Sequence, residues 1–221
     1  MRKLLALIGL LFPWRIRRLL LIKLLRYEIH PTARIGWSWI CPERLEMAAG
    51  ARIGNLTVCK GLSLLKMGEQ SYVGNLNWIS GFPVGNHAFF GEEADRRAEL
   101  VLGDHAAITH RHLIDCTNAV RIGRFTTFAG YRSQVLTHSI DLQRSRQASR
   151  PVTIGEYCFV GTNCVLLGGS ALPDYSVLGA SSVLNKAHTE MHWLYAGNPA
   201  QPVKALTGEL QYFQRSAGFV N

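Results

Sequence analysis

A six-residue period between Ile154 and Leu184 limits what this chain can fold into more than any other feature of its sequence. Every sixth residue is aliphatic, namely Ile154, Val160, Leu166, Leu172, Leu178 and Leu184, and the residue four places after each of the first five is small: Cys158, Cys164, Ser170, Ser176 and Ser182. Gly155, Gly161 and Gly179 follow three of the aliphatic positions. Helix and strand have side-chain periods of 3.6 and 2, so neither produces this spacing. A hexapeptide period is the mark of a parallel β-helix, a coil of three short flat strands with the aliphatic residue pointing into the prism and the small residue at the corner beside it. Coils stacked at about 4.8 Å pair every internal edge with the next coil. An ordinary antiparallel sheet would show alternation and hairpin turn pairs instead.

The period extends upstream. From His30-Pro31 onward, Ile35, Cys41, Met47, Ile53 and Cys59 keep one frame, and after a two-residue slip Met67, Val73 and Ile79 resume it. The pattern lapses near residues 80–101, which read as an excursion from the coil. It returns at Leu102, Ile108, Ile114 and Val120, slips by two residues to Ile122 and Phe128, and breaks again over residues 133–151. These blocks amount to six or seven coils of an all-β domain over residues 30–187. A basic apolar helical segment precedes it at residues 1–29. A C-terminal segment at residues 188–221 reads as a turn over 193–202 and a short helix over 206–215.

At 221 residues the chain is long enough for a full core. Its formal charge of +9 suggests nucleic acid at first sight. Seven of the 24 basic residues, however, lie before Glu28 with no acid among them, so the remaining 17 against 15 acids leave the body near +2. No nucleic-acid motif occurs, and none is expected as a partner. Cys41, Cys59, Cys116, Cys158 and Cys164 show no zinc-ribbon or CxxC spacing, and four of them fall on repeat positions. Buried reduced thiols in a cytoplasmic protein are the simplest account.

The apolar run Leu4 to Trp14 is too short to span a bilayer, and no small-residue cleavage site precedes Arg15 to Arg18. The leucine-rich segment after it has two readings. It caps the open first coil, as a solenoid requires, or residues 1–27 lie in a membrane interface with their arginines at lipid phosphates. Capping is favoured because that need exists whatever the function.

A closed prism has no site, so function must sit where the repeat is interrupted. Leu136 to Asp141 opens the second interruption, and its His138 is a residue able to accept a proton near neutral pH. A structural histidine is the alternative. Arg144, Arg146 and Arg150 follow, either as an anion-binding cluster for an acidic glycan, a lipid-linked diphosphate or a coenzyme, or as a solvated loop.

Ile154 to Lys186 followed by Ala196-Gly197-Asn198-Pro199-Ala200, with Arg150 to Gly155 ahead of it and Thr137-His138-Ser139 in the loop, resembles the hexapeptide-repeat acyltransferases. Ile114-Asp115-Cys116 and Val120 to Gly123 resemble an upstream element of the same group. The likeness covers residues 30–205 and points toward sugar O-acetyltransferases of the colanic-acid, capsule and exopolysaccharide type. It implies a left-handed parallel β-helix, a homotrimer with sites between neighbouring prisms, acetyl-CoA as acyl donor, no metal, and a sugar or lipid-linked glycan as acceptor. By the same resemblance His138 is the general base, Asp115 lies at the acceptor pocket with His110, His112 and Asp141, and the coenzyme lies along Gly161, Thr162, Gly179, Ala180, Ser181, Asn185 and Lys186. The sequence departs from the family pattern twice. Gln201 stands where many relatives carry Arg or Lys, leaving Lys204 as the nearest cation, and Leu167-Gly168-Gly169 replaces Leu-Pro-Gly.

Two other readings compete. His105, His110 and His138 invite comparison with γ-class carbonic anhydrases, which gather three histidines around a metal on a similar prism. A non-catalytic trimeric scaffold is the other.

Overall fold

The computed structural model describes residues 2–85, 87–218 and 220. Seven coils stack into a three-faced prism. In one coil, strands Val152–Ile154, Phe159–Val160 and Val165–Leu167 each pair in parallel with the strand one coil before and one coil after. Two faces hold seven strands, and the second face continues into Trp193–Ala196 and Gln201–Ala205 to reach nine.

The two sequence columns become the core. Ile154, Val160, Leu166, Leu172, Leu178 and Leu184 are all buried inside the prism, and Cys158, Cys164, Ser170, Ser176 and Ser182 are buried at its corners. All five cysteines are free thiols and buried. The residue before each corner position adopts a left-handed conformation: Tyr157, Asn163, Gly169, Tyr175 and Ser181 all have positive φ. That conformation is costly for a side-chain-bearing residue. Here it lets Tyr157, Asn163, Tyr175 and Ser181 direct their N–H groups to carbonyls of the preceding coil at 2.8–2.9 Å. The glycine after the aliphatic residue has a packing reason. A Cβ on Gly161 would lie 2.7 Å from the Ala180 nitrogen, so a side chain there would push the next coil away.

One corner column stacks aromatic rings at the coil spacing. His105, Phe125, Tyr157, Tyr175 and His192 lie face to face with centroids 4.7, 4.7, 5.3 and 5.0 Å apart. The short helix Gln211–Gln214 and Arg215 fold back against this column, Arg215 donating to the Phe125 carbonyl.

Three expectations need correction. In the first coil Ile40, not Cys41, pairs with Cys59, so the frame through Cys41 is one residue out. Trp193 to Pro202 is not a turn but the arm of a hairpin, because the chain reverses at Gly197 to Ala200 and Gln201–Ala205 returns antiparallel along Trp193–Ala196. The C-terminal helix is also shorter than 206–215, Gly208-Glu209 forming a turn ahead of the four-residue helix Gln211–Gln214.

Helices α1 (Arg2–Ile8) and α2 (Trp14–Leu25) cover the open end of the first coil. Ala6, Leu21 and Leu25 face the core. The buried Arg17 guanidinium donates to the carbonyls of Gly36 and Ser38 at 2.7 and 2.5 Å, satisfying acceptors that have no preceding coil to pair with.

The departures from the period share one corner. The chain passes from the third face back to the first through residues 81–98 in one coil and 137–151 in another, and elsewhere through two to four residues. Lengthening there leaves the strand ladders intact, so this edge can carry a site without unstacking the prism.

Candidate functional site

The site is built where the two excursions meet. Leu113–Asp115 and Gln134–Leu136 are neighbouring rungs of the third face, with Asp115 opposite Leu136. His138 therefore sits two residues past the rung partner of Asp115. Its Nδ1 lies 2.8 Å from Asp115 Oδ2, and its backbone N–H donates to the same oxygen at 3.1 Å. Thr137 adds its own N–H and hydroxyl to Oδ2 at 2.8 and 2.7 Å, while Thr117 gives its N–H and hydroxyl to Oδ1 at 3.1 and 2.6 Å.

Those six donors settle the electrostatics. Burial pushes the Asp115 carboxyl up, but the hydrogen bonds from Thr117, Thr137 and His138 outweigh it and hold the group below the usual carboxylate value. An ionised carboxylate only accepts, so the proton on the His138 ring belongs on Nδ1. Nε2 is left as an acceptor and makes no hydrogen bond to the described residues.

His138 is half-buried and opens on a cavity of about 360 Å³ lined also by Thr137, Ser139, Asp141, Ala148, Ser149, Arg150 and Gly168. The second excursion forms its floor as an antiparallel hairpin, His138–Asp141 against Arg146–Ser149, closed by Asp141 Oδ1 accepting from the N–H groups of Gln143 and Arg144. The first excursion forms a wall against the His138 ring, beside that cavity. Phe82 and Phe90 meet the His138 ring edge-on, with centroids 5.7 and 6.4 Å away. Glu93 accepts from the Ser149 N–H at 2.7 Å and from its hydroxyl, and Glu92 pairs with Arg146. Beneath them the buried Arg96 donates to the carbonyls of Phe82, Pro83 and Thr117 at 2.7–2.8 Å, tying the wall to a residue that holds Asp115. A second cavity of about 500 Å³ adjoins the first and shares Asp141, Ala148, Ser149 and Arg150 with it.

The structure thus brings together His138, Asp115 and Asp141. It does not give Asp115 a free oxygen for an acceptor, because both are filled by protein donors. His112 is also displaced from the expected role. It is buried at a core corner, Nδ1 accepting from the Ser133 N–H at 3.2 Å and Nε2 lying 3.0 Å from the Thr109 hydroxyl. Burial and the neighbouring His110 drive its pKa down to about 4, so it is a neutral structural ring at neutral pH and does not face the cleft. His110 accepts from the Asn75 N–H at 2.8 Å and stacks on Tyr131, at the corner between the second and third faces.

That corner also holds Gly161, Thr162, Gly179, Ala180 and Ser181. The Thr162 hydroxyl is engaged by Tyr131, accepting its N–H and donating to its carbonyl, both at 3.0 Å. Asn185 and Lys186 lie instead on the His138 edge, two coils further on, with Lys186 Nζ donating to Gln201 at 3.4 Å. Lys204 is exposed on the return strand Gln201–Ala205. Within the single chain the expected coenzyme residues are therefore split between two edges of the third face.

Sequence reasoning singled out Thr137 only as a neighbour of His138 in the loop and missed Phe82, Phe90, Arg96, Thr117 and Gly168. A Cβ on Gly168 would approach the Thr137 carbonyl at 2.8 Å, which keeps the cavity floor small-residue only. Among the described residues no group of three or more His, Cys, Asp or Glu side chains converges as a metal site. His105, one of the histidines in the metal reading, is held in the ring column.

No protein-family model matches the chain. Several solved structures share its fold. The hexapeptide-repeat acetyltransferase VCA0836 of Vibrio cholerae O1 biovar eltor, determined with acetyl coenzyme A, superposes with a TM-score of 0.52 at 23% identity over 64% of this chain and 71% of its own. A second structure of the Vibrio cholerae protein matches 93% of this chain and 90% of its own at 17% identity and a TM-score of 0.50. A point mutant of AntD, an N-acyltransferase from Bacillus cereus in complex with dTDP-4-amino-4,6-dideoxyglucose and coenzyme A, gives 0.54 at 12% identity over 82% and 87%. The shared fold is the left-handed parallel β-helix of hexapeptide repeats.

Proposed function

We propose that the chain is an acetyl-CoA-dependent O-acetyltransferase that moves an acetyl group onto a sugar hydroxyl of a surface-glycan or exopolysaccharide precursor, with His138 as general base. The observation that carries the reading is the Asp115–His138 pair, in which the carboxylate engages Nδ1 and leaves Nε2 without a hydrogen bond to the described residues, beside a cavity at the interruption of the repeat. Acetyl-CoA bound to VCA0836, and coenzyme A with a nucleotide-linked amino sugar bound to AntD, accord with it.

The chemistry follows from the ring. Nε2 takes the proton of the acceptor hydroxyl as that oxygen attacks the thioester carbonyl of acetyl-CoA. The tetrahedral adduct collapses with cleavage of the carbon–sulfur bond, and the departing thiolate receives the proton back from the imidazolium. The products are an acetyl ester and free CoA. Between those steps Asp115 faces the charged ring and stabilises it without itself taking a proton. Asp141 and Arg150, which line the cavity, meet the acceptor. Phe82 and Phe90 keep the base out of bulk water.

The split of the coenzyme residues between two edges fits a homotrimer, in which the His138 edge of one copy faces the Gly161–Thr162 and Gly179–Ser181 edge of the next. Pantetheine then runs in the groove between prisms, with Asn185, Lys186 and Lys204 toward the phosphates. Use of acetyl-CoA and five free, buried thiols accord with a cytoplasmic location.

Transfer from acetyl-CoA to a panel of free, nucleotide-linked and lipid-linked sugars, followed by mass spectrometry, tests the acceptor class. The expected product gains one acetyl group that alkaline hydroxylamine removes, as an oxygen ester requires. A hydroxylamine-stable product would move the reading to an amine acceptor of the kind named for AntD.

A further inference from the structure

Among the described residues 22 large hydrophobic side chains are exposed, and eight of them crowd into positions 4–24. They lie on the outer faces of α1 and α2 and, for Leu11 and Phe12, on the turn that joins them, while the inner faces of the helices carry Ala6, Arg17, Leu21 and Leu25 against the first coil. Leu11 is 82% exposed, Leu4 60%, Leu24 54% and Leu19 52%. On α2 the exposed Ile16, Leu19 and Leu24 fall on one side of the helix, as spacings of three and eight residues place them. Between the helices runs an apolar groove of about 220 Å³, with Ile8, Phe12 and Leu20 among its walls. Capping the coil explains the inner faces and leaves the outer ones without a partner.

The charges around this patch are of one sign. Lys3, Arg15, Lys23 and Arg26 are exposed, and no acid occurs before Glu28. A second copy docking through the same face would set these cations against their own equivalents. No described helix is long and apolar enough to cross a membrane, and α2 with its 12 residues measures about 18 Å against a hydrocarbon core of roughly 30 Å. The helices are also held rigidly, since Arg17 bonds to Gly36 and Ser38, and Trp39 Nε1 donates to the Lys3 carbonyl at 3.2 Å.

We infer that the outer face of α1 and α2 docks on the surface of an anionic phospholipid bilayer. Leu4, Leu11, Ile16, Leu19 and Leu24 enter the headgroup–acyl boundary, and the lysines and arginines meet lipid phosphates. The prism then stands on the membrane by its capped end.

Flotation of the full chain with vesicles tests this. The chain is expected to float with phosphatidylcholine vesicles containing about one third phosphatidylglycerol, to stay behind with phosphatidylcholine alone, and to detach several-fold at ~0.5 M salt. Leu11→Ser combined with Leu19→Ser should weaken binding about tenfold or more, and Arg15→Gln combined with Lys23→Gln about tenfold or more on the anionic vesicles only. All four side chains are solvent-exposed, so both variants should keep the wild-type melting temperature by circular dichroism. The inference is overturned if the wild-type chain stays behind with anionic vesicles, or if both variants float as it does. It is equally overturned if the leucine variant changes the oligomeric state in sedimentation velocity while flotation is unaltered, since the face would then be a protein contact.

Discussion

His138→Ala is expected to lower acetyl transfer by about two to four orders of magnitude while leaving the fold and acetyl-CoA affinity near wild type. The size follows from the role. The only acceptor aimed into the cavity by the Asp115–His138 pair is Nε2, and removing it leaves an unassisted hydroxyl as nucleophile. The fold should survive because His138 is half-buried and lies on the hairpin beyond the strand ladder, not within it. Steady-state turnover, with a melting curve and a coenzyme titration on the same preparation, separates the two effects. Turnover at the wild-type rate would remove His138 from the chemistry.

Asp115→Asn is expected to cost roughly 10²- to 10³-fold in turnover, again with little change in acetyl-CoA affinity. The wild-type carboxylate accepts from six donors on Thr117, Thr137 and His138. An amide has one oxygen and an NH2 group, so whichever way it turns, a donor faces a backbone N–H. If the oxygen stays near Nδ1, the ring is still held but its protonated form loses an anionic neighbour. If the NH2 group turns there, Nδ1 becomes the acceptor and Nε2 carries the proton, the wrong form for a base. Stability should fall as well. The carboxyl is held below its ordinary value in the folded protein, so its interactions stabilise the loop throughout the range above that ordinary value and are lost as pH falls through the folded one. The asparagine variant should lack this acid-side loss. A variant with unchanged turnover would leave Asp115 a purely structural residue.

The sequence made the prism legible because its period is imposed by geometry. An inward aliphatic and a small corner residue must recur at each face, and Ile154 to Leu184 obey this through six faces without a break. The left-handed corners at Tyr157, Tyr175 and Ser181 were not legible, because their residue types do not announce positive φ. What stabilises them is the carbonyl of the preceding coil and, at Tyr157 and Tyr175, a stacked ring. Neither is a local signal.

The site was legible in part for the same reason. His138 stands out as a polar residue where the repeat fails. The position of Asp115 was also recoverable, since a coil of the neighbouring register is 21 residues long and Asp115 lies 23 residues before His138, at the same corner one coil earlier. Its role was misjudged because sequence spacing shows adjacency but not which oxygens are already filled. His112 misled in the opposite direction, as a polar side chain in a small-residue column that the core accommodates through Thr109 and Ser133. The wall of Phe82, Phe90 and Arg96 comes from an excursion without period, so nothing in its spacing says that it folds onto His138.

The central claim is that the groove serves acetyl-CoA, and the most direct measurement is calorimetric titration of the metal-stripped protein with CoA and acetyl-CoA. Saturable binding in the micromolar range at about one per protomer is predicted, because the expected coenzyme residues recur once in each copy. Absence of heat from a folded, assembled protein would contradict the account and shift the weight to the metal-dependent or scaffold alternatives.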